Sequence, residues 1–387
     1  MWYFSSPEIA FGEDALFRLD ELKGERAFIV TDANVLRLGF VERVQERLTS
    51  AGIESAVFAE VEPDPCVETA QRCAAAMTEF EPDWIIGLGG GSSIDAAKAA
   101  WLLYECPDVD PAGINPFDRF GLRAKARLIA IPTTSGTGSE VTMATVLTDT
   151  EEHCKLGLGS RELTPDIAIV DPSFVMGLPP RITADTGLDA LTHAVEGYTS
   201  TYHNDFSDGL CVKAVQLVFT YLPRAYADGA DQEARERMHN AATIAGLGFG
   251  NSMAALAHAM GHALGAVFHT PHGRAVSLFL PYTIEFTVNG GDSRYADIAY
   301  ALRLPAEDEI EGAASLVAAI RELQQKVGQP TAIRDLDIPR EAFEKALPHL
   351  VANAESDTSL IMGTRIPDSG ELERLFRYAF QGHTVDF

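Results

Sequence analysis

The chain has 387 residues, 46% of them hydrophobic and 22% charged, which excludes a single small module and a disordered chain. Its formal net charge of -26 means that the average surface repels phosphate backbones and anionic lipid headgroups, so neither nucleic acid nor a membrane is an expected partner. Five scattered cysteines without CxxC spacing favour reduced thiols, and no signal peptide is recognisable, so we expect a cytoplasmic protein.

The first part of the chain alternates strand-like and helical patterns. The strand-like runs are "RAFIVTD", "ESAVFAEV", "WIIGLGGG", "RLIAIPTT" and "IAIVDP". This alternation predicts a parallel sheet flanked by helices over residues 1–180, an α/β domain. After the Pro179-Pro180 pair strand-like runs almost vanish, and residues 181–387 are predicted to form an all-helical domain.

A glycine turn follows the predicted strand "WIIGLGGG" and precedes a helix that should begin at Ser92 or Ser93, with Asp95 in its first turn. Backbone amides of Gly89, Gly90, Gly91 and Ser92 could therefore approach a phosphate at a helix N-terminus. The GxGxxG fingerprint is absent, so an ordinary tight connection explains the turn equally well.

A second polar loop, "IPTTSGTGSEVT", follows another predicted strand. Its candidate phosphate-binding hydroxyls are Thr133, Thr134, Thr137 and Ser139. A flexible loop is the simpler interpretation of the segment alone, but ligands of open α/β sheets bind beyond the carboxyl ends of strands, where both loops could meet one polyphosphate. Asp32 ends the first clear strand, where it could bind ribose hydroxyls and repel a 2'-phosphate, or simply open an Asx-turn.

The segment "ADTGLDALTHAVEGYTS" predicts a helix capped near Asp185 or Thr186. Asp189 and His193 are four residues apart and can point at one ion, and Glu196 lies on the same face. A lone Asp-x3-His pair is more typical of the solvated face of an amphipathic helix.

Four histidines lie within "HAMGHALGAVFHTPHG", and no charged residue other than histidine occurs between Asn240 and Gly273. The uncharged run is rich in glycine and lacks basic flanks, so a buried helix pair fits it better than a membrane span. His258 and His262 share a helix that is apolar all round, and His272 follows on a loop that could fold back. Buried imidazoles need partners, and Asp189 with His193, His258 and His272 suits a divalent transition metal. His269 is interpreted as a core or surface histidine.

These motifs together resemble the iron-containing, group III alcohol dehydrogenases over nearly the whole chain. "GGGSSIDAAK" is similar to the family element GGGSxxDxAK, "PTTSGTGSEVT" to its second phosphate loop, and "TGLDALTHAVEGY" and "HAMGHALGAVFHTPHG" to its two metal signatures. The resemblance implies the fold shared with dehydroquinate synthase: a Rossmann-like dinucleotide-binding domain followed by a helical domain.

The resemblance also implies roles for individual residues. Asp189, His193, His258 and His272 would bind Fe(II), or less often Zn(II), and His262 would lie beside the nicotinamide as a candidate proton relay. Asp32 occupies the position associated with NAD preference, Lys155 lies where relatives keep a lysine near the cofactor, and Phe249 lies in the substrate pocket. The sequence departs from the family near the C-terminus, where "MGTRIP" replaces an "NPR" stretch that borders the active site.

The resulting hypothesis is an NAD-dependent alcohol dehydrogenase or aldehyde reductase, in which the metal polarises the substrate oxygen and hydride passes to nicotinamide C4. Enzymatic alternatives on the same fold are a maleylacetate reductase or a glycerol dehydrogenase-like enzyme. A metal or nucleotide sensor without turnover is the alternative from another class. A homodimer is the default expectation for assembly.

Overall fold

The structure is a computed structural model that describes residues 3–110, 114, 118–150 and 154–387, and the side chains of Asp149, Cys154 and Lys155 lie outside that description. The chain divides into two compact units at Met176 and Gly177. None of the helices within the described ranges is both long and apolar enough to cross a membrane.

The N-terminal unit contains a six-stranded sheet whose neighbouring strands all pair in parallel, in the order β1-β8-β5-β4-β2-β3. Its strands are β1 (Glu8–Phe11), β2 (Arg26–Val30), β3 (Glu54–Phe58), β4 (Trp84–Gly89), β5 (Arg127–Pro132) and β8 (Ile167–Val170). Strands β6 (Ala144–Asp149) and β7 (Cys154–Gly159) form a separate antiparallel pair. The predicted parallel sheet is confirmed, and β1 and the β6–β7 pair are additions that the patterns did not predict.

Helices cover both faces of this sheet. They are α1 (Ala33–Arg37), α2 (Phe40–Ser50), α3 (Val67–Phe80) and α4 (Gly91–Glu105). Successive residues of β4 point to opposite faces, so Ile85 joins the core formed with α3 and α4, whereas Ile86 joins the core formed with α2. Burial on both faces explains why β4 is apolar along its length, as expected of a parallel sheet.

The described residues of the C-terminal unit form helices joined by loops, without a strand, which confirms the predicted all-helical region. Its helices are α5 (Pro180–Thr199), α6 (Asp205–Ala227), α7 (Gln232–Gly250), α8 (Leu256–Phe268), α9 (His272–Asn289), α10 (Tyr295–Ala301), α11 (Glu309–Lys326), α12 (Arg340–Ser356) and α13 (Ser369–Gln381). Helix α5 packs against α6, α7 and α9, and α8 packs against α9 and α12. One continuous apolar core joins these helices.

Three helix boundaries differ from the sequence-based expectations. Helix α5 begins at Pro180 rather than near Asp185, because proline has no amide hydrogen to lose at the first helical position. Helix α4 begins at Gly91, one residue before Ser92. His272 is not on a loop but is the first residue of α9, immediately after Pro271.

Candidate metal centre and nucleotide loops

Four side chains of the C-terminal unit converge on one point. Asp189 and His193 come from α5, His258 from α8 and His272 from the first turn of α9. One ligand atom from each of the four lies within 4.8 Å of the others. Asp189 Oδ1 is 3.4 Å from His272 Nε2, 3.8 Å from His193 Nδ1 and 4.0 Å from His258 Nε2.

This cluster fits a transition-metal ion. Opposite ligands of an ion with bonds of about 2.0–2.2 Å lie about 4.4 Å apart at most, so shifts of a few tenths of an ångström would close the cluster. Asp189 and His258 are 1% and 3% exposed, yet Asp189 Oδ1 and His258 Nε2 make no hydrogen bond to the described part of the chain. A buried polar atom without a partner is unfavourable by about 1–3 kcal/mol, and an ion would remove that penalty.

The electrostatic surroundings of Asp189 keep its side chain ionised, which is the form that binds a metal ion. Burial alone raises the pKa of Asp189, but the surrounding imidazoles of His193 and His272 outweigh it and hold the pKa well below its usual range. An ionised carboxylate with three imidazoles is a donor set typical of Fe(II) and Zn(II) sites.

Two further residues of the region differ in their relation to this cluster. The ring of Phe249 is partly buried and stacks on His193, with ring centroids 3.9 Å apart and an interplanar angle of 9°. His269 is exposed and ends α8 in the left-handed conformation, with a φ of 54°. Phe249 therefore borders the cluster, whereas His269 does not take part in it.

His262 belongs to the same group of rings without being one of the four converging ligands. Its ring centroid lies 5.2 Å from that of His272 and 5.8 Å from that of His258. Its Nδ1 is 2.6 Å from Asp357 Oδ2. Burial lowers the pKa of His262 and outweighs the opposing effect of Asp357, so the ring is neutral near pH 7.

Sequence reasoning missed Asp357 and gave Glu196 no role. Glu196 Oε2 lies 2.5 Å from His258 Nδ1 in the buried interior. Burial lowers the pKa of His258, but the carboxylate of Glu196 raises it overall. Glu196 is seven residues after Asp189, so its place on the same helix face was a usable signal, whereas nothing in the sequence links Asp357 to His262.

The segment "MGTRIP", where the sequence departs from the family pattern, borders Glu196. Thr364 and Arg365 line a cavity of about 20 Å³ together with Glu196 and Tyr295, which is room for one water molecule. Arg365 is fixed there because its guanidinium donates to the carbonyls of Phe286 and Phe387 and pairs with Glu371.

In the N-terminal unit the structure brings the two predicted phosphate loops together. A Cβ on Gly91 would lie 2.9 Å from Thr137, and one on Gly90 would lie 3.5 Å from Thr134. Gly89 has a φ of 151°, and only glycine fits there because any Cβ would collide with Ser93. The glycine turn thus lies directly against the second loop, at the carboxyl ends of the adjacent strands β4 and β5.

The remaining candidate cofactor residues differ in how accessible they are. Ser92, Thr134 and Thr137 are partly exposed, whereas Thr133 and Ser139 are buried. Asp95 accepts a hydrogen bond from the backbone amide of Val146 at 2.9 Å. Lys155 lies in β7, and its side chain is outside the described structure.

Asp32 caps helix α1, as the alternative interpretation supposed. Its Oδ1 accepts from the amides of Asn34 and Val35 at 2.7 and 3.1 Å. Its Oδ2 lies 3.4 Å from Ser93 Oγ, beside the glycine turn. Oδ1 alone forms the cap, and Oδ2 lies next to the phosphate loops.

Fold and site together define a metal-dependent, nucleotide-dependent oxidoreductase. The model of the iron-containing alcohol dehydrogenases matches residues 6–172, and that of the C-terminal part of the Fe-containing alcohol dehydrogenase family matches residues 183–372. The chain belongs to the iron-containing alcohol dehydrogenase family.

Relatives and solved structures agree with that membership. The chain is 40% identical to the NADPH-dependent butanol dehydrogenase of Clostridium saccharobutylicum over all of both chains. It is 37% identical to the 1-propanol dehydrogenase PduQ of Citrobacter freundii, over 94% of this chain and 95% of that protein. An iron-containing alcohol dehydrogenase structure from Thermococcus thioreducens superposes with a TM-score of 0.90 at 33% identity, covering 99% and 100% of the two chains.

Proposed function

We propose that the protein is a metal-dependent alcohol dehydrogenase or aldehyde reductase that transfers hydride reversibly between a small alcohol and nicotinamide C4. The observation that carries this proposal is the convergence of Asp189, His193, His258 and His272 in a chain of this family. The names of the relatives, a butanol and a propanol dehydrogenase, favour a short primary alcohol over the substrates of a maleylacetate reductase or a glycerol dehydrogenase.

The four converging residues would hold the ion, with Fe(II) preferred and Zn(II) as the alternative. When bound, such an ion supplies Lewis acidity at the substrate oxygen. Asp189 contributes a negative charge from a fully buried position, and the three imidazoles contribute neutral donors. Phe249 lies against His193 and would form an apolar wall of the substrate pocket.

His262 is proposed to move the proton that accompanies hydride transfer. A carboxylate only accepts hydrogen bonds, so the contact with Asp357 places the proton of the neutral ring on Nδ1. His262 Nε2 is then available to accept a proton from the substrate hydroxyl or from a water. Its lowered pKa keeps the ring in this accepting form at neutral pH.

The proposed cofactor is NAD. Amides of Gly90, Gly91 and Ser92 at the start of α4 suit the pyrophosphate, because a helix N-terminus attracts anions. Hydroxyls of the second loop and Lys155 would add further contacts. Oδ2 of Asp32, which also accepts from Ser93 Oγ at 3.4 Å, would bind the ribose and repel a 2'-phosphate, although one relative is named NADPH-dependent.

The test combines metal analysis of the purified protein with a panel of short aldehydes and NADH or NADPH, followed by absorbance at 340 nm. We expect turnover that is lost on chelation, restored by Fe(II), and absent from the double variant His258→Ala/His272→Ala. Tight binding of metal and nucleotide without turnover would instead support a sensor, and full activity of the double variant would refute the proposal.

A homodimer and a cytoplasmic location remain part of this proposal. Closed twofold dimers are the commonest assemblies of soluble proteins. Light scattering at micromolar concentration tests the first, and cell fractionation tests the second.

A further inference from the structure

The side-chain carboxylate of Glu196 accepts three hydrogen bonds from the described part of the chain, all at the start of helix α8. Its carboxylate accepts from His258 Nδ1 at 2.5 Å, from the amide of Ala255 at 3.0 Å and from the amide of Ala257 at 2.5 Å. The residue is 4% exposed and lies on α5, the helix that also carries Asp189 and His193. One buried side chain therefore links the two helices that supply three of the four candidate ligands.

The contact with Nδ1 determines which nitrogen of His258 carries the proton. Because a carboxylate offers only lone pairs, Nδ1 must donate and Nε2 keeps its own lone pair. That Nε2 is buried, makes no hydrogen bond to the described residues and lies 4.0 Å from Asp189 Oδ1. The carboxylate thus holds the ring in the only neutral form that can bind an ion through Nε2.

The two amide contacts determine where α8 lies. Helix α8 has no side-chain cap of its own, since the residue at its N-cap is Ala255. A carboxylate at this end satisfies unpaired amides and interacts favourably with the helix dipole. Glu196 therefore acts as the missing cap, and it also fixes the position of the backbone that carries His258.

We propose that Glu196 is a positioning residue for the metal centre, which sets the affinity and the coordination geometry through His258 and α8 without touching the ion. This inference rests on the metal site of the proposed function. Hydrogen-bonded carboxylates behind metal-binding histidines typically change metal affinity by about 10- to 100-fold when they are removed.

The test is Co(II) binding by the full-length variant Glu196→Gln. The side-chain amide of glutamine can donate to Nδ1, which would move the ring proton to Nε2 and block the ligand lone pair. We expect Co(II) affinity, measured by competition with a chromophoric chelator, to fall by about 10- to 100-fold. The visible d–d spectrum of the bound Co(II) should also change, whereas the circular dichroism of the fold should not.

The matched control is Glu309→Gln. Glu309 also accepts from two backbone amides at a helix start, those of Tyr295 at 2.5 Å and Ala296 at 3.2 Å, and its partners within the described ranges include no histidine. It should lose stability to a similar degree and keep the Co(II) affinity and spectrum of the unmodified protein. Equal losses of affinity in both variants would show a general effect of a lost cap and would overturn the inference.

A second variant keeps the test decisive if Glu196→Gln does not fold. Glu196→Asp retains the charge but withdraws the carboxylate by one methylene, so an intermediate loss of Co(II) affinity is expected. Unchanged Co(II) affinity in Glu196→Asp, and in Glu196→Gln if it folds, would contradict the positioning role of Glu196. It would leave the proposed metal centre itself intact. Failure of the unmodified protein to bind Co(II) would instead remove the proposed metal centre, and this inference with it.

Discussion

His262 Nδ1 and Asp357 Oδ2 lie 2.6 Å apart, although 95 residues separate them in the chain. The imidazole stabilises the ionised carboxylate: burial alone would raise the pKa of Asp357, but the hydrogen bond from His262 lowers it to about 2. Asp357 also accepts from the amide of Ser359, which fixes its own position. The pair is therefore oriented before any substrate arrives.

The first prediction concerns Asp357→Asn. The neutral amide removes the charge that supports a protonated His262 and permits the ring to turn. Because His262 itself remains, kcat should fall by about 10- to 100-fold, less than the roughly 100- to 10,000-fold that an acid–base group contributes. Co(II) affinity should be unchanged. Steady-state kinetics with a short aldehyde and NADH provide the measurement.

Asp368→Asn is the control for this substitution. Asp368 caps α13 by accepting from the amide of Glu371 at 2.8 Å, as Asp357 caps the short 3-10 helix Thr358–Met362. Its kcat should equal that of the unmodified enzyme. An unchanged kcat in Asp357→Asn would exclude the proposed proton relay through His262.

The second prediction concerns cofactor choice. Asp32→Asn keeps the cap of α1, because asparagine caps helices as well as aspartate does, but removes the negative charge. Loss of the repulsion toward a 2'-phosphate should raise the ratio of kcat/KM for NADPH over NADH by about tenfold, equivalent to about 1.4 kcal/mol.

The control here is Asp308→Asn, which alters an equivalent cap on α11. Both variants should melt at the same temperature as the unmodified protein, and only Asp32→Asn should alter the cofactor ratio. A ratio that stays constant would mean that Asp32 acts solely as a helix cap.

Sequence patterns predicted the parts of the site that share a helix face or follow a strand. Asp189 and His193 are four residues apart, so helical spacing alone brings them together. The glycine turn and the second loop follow neighbouring parallel strands, and such strands present their carboxyl ends at one edge. Local periodicity and topology suffice in both cases.

The remaining features depend on tertiary packing. Asp357 reaches His262 only because α12 packs against α8, and no spacing encodes that contact. The Pro179-Pro180 pair predicts a domain boundary, but Pro180 also begins α5, since a proline suits a helix start as well as a helix stop. Among the described residues, strands β6 and β7 form a two-stranded sheet of their own, so they lack the buried apolar run that reveals a central strand.

The third prediction concerns the close approach of α9 to α5. A Cβ on Gly273 would collide with the carbonyl oxygen of Asp185 and lie 3.0 Å from the Cβ of Asp189. Backbone atoms cannot move aside, so Gly273→Ala should displace the first turn of α9 and His272 with it. We expect a loss of about 1–3 kcal/mol in the free energy of unfolding and weaker Co(II) binding.

Gly209→Ala is the control for Gly273→Ala, since it adds the same methyl group without a steric clash. Gly209 lies within α6, and a Cβ there would meet nothing within 4 Å. Gly209→Ala should leave the free energy of unfolding unchanged or increase it by up to about 1 kcal/mol. Urea unfolding and chelator competition measure both quantities, and wild-type Co(II) affinity in Gly273→Ala would contradict the proposed constraint on His272.

The fourth prediction concerns Lys98, which is 0% exposed within α4. Its ammonium donates to the carbonyls of Thr142 and Ala144 at 2.8 and 2.7 Å and so connects α4 to the end of the second loop and the start of β6. Burial lowers the pKa of Lys98 to about 8, even though the nearby carboxylates of Asp95 and Glu140 raise it.

The sign of the resulting pH dependence follows from proton binding. Between pH 8 and 10.5 the unfolded chain retains a proton on Lys98 that the folded protein has released, so the free energy of unfolding increases as pH rises.

Relative to Lys98→Met, which cannot titrate there, the unmodified protein should gain up to about 3 kcal/mol in the free energy of unfolding across this range. Between pH 6 and 7 the lysine is protonated in both states, and the difference between the two proteins should stay constant. Trp84 and Trp101 belong to the N-terminal unit, and the C-terminal unit contains no tryptophan, so tryptophan fluorescence during urea unfolding reports on the relevant part of the chain. A difference that is flat from pH 6 to 10.5 would show that Lys98 carries no burial penalty, and that the tie between α4 and the second loop does not depend on its charge.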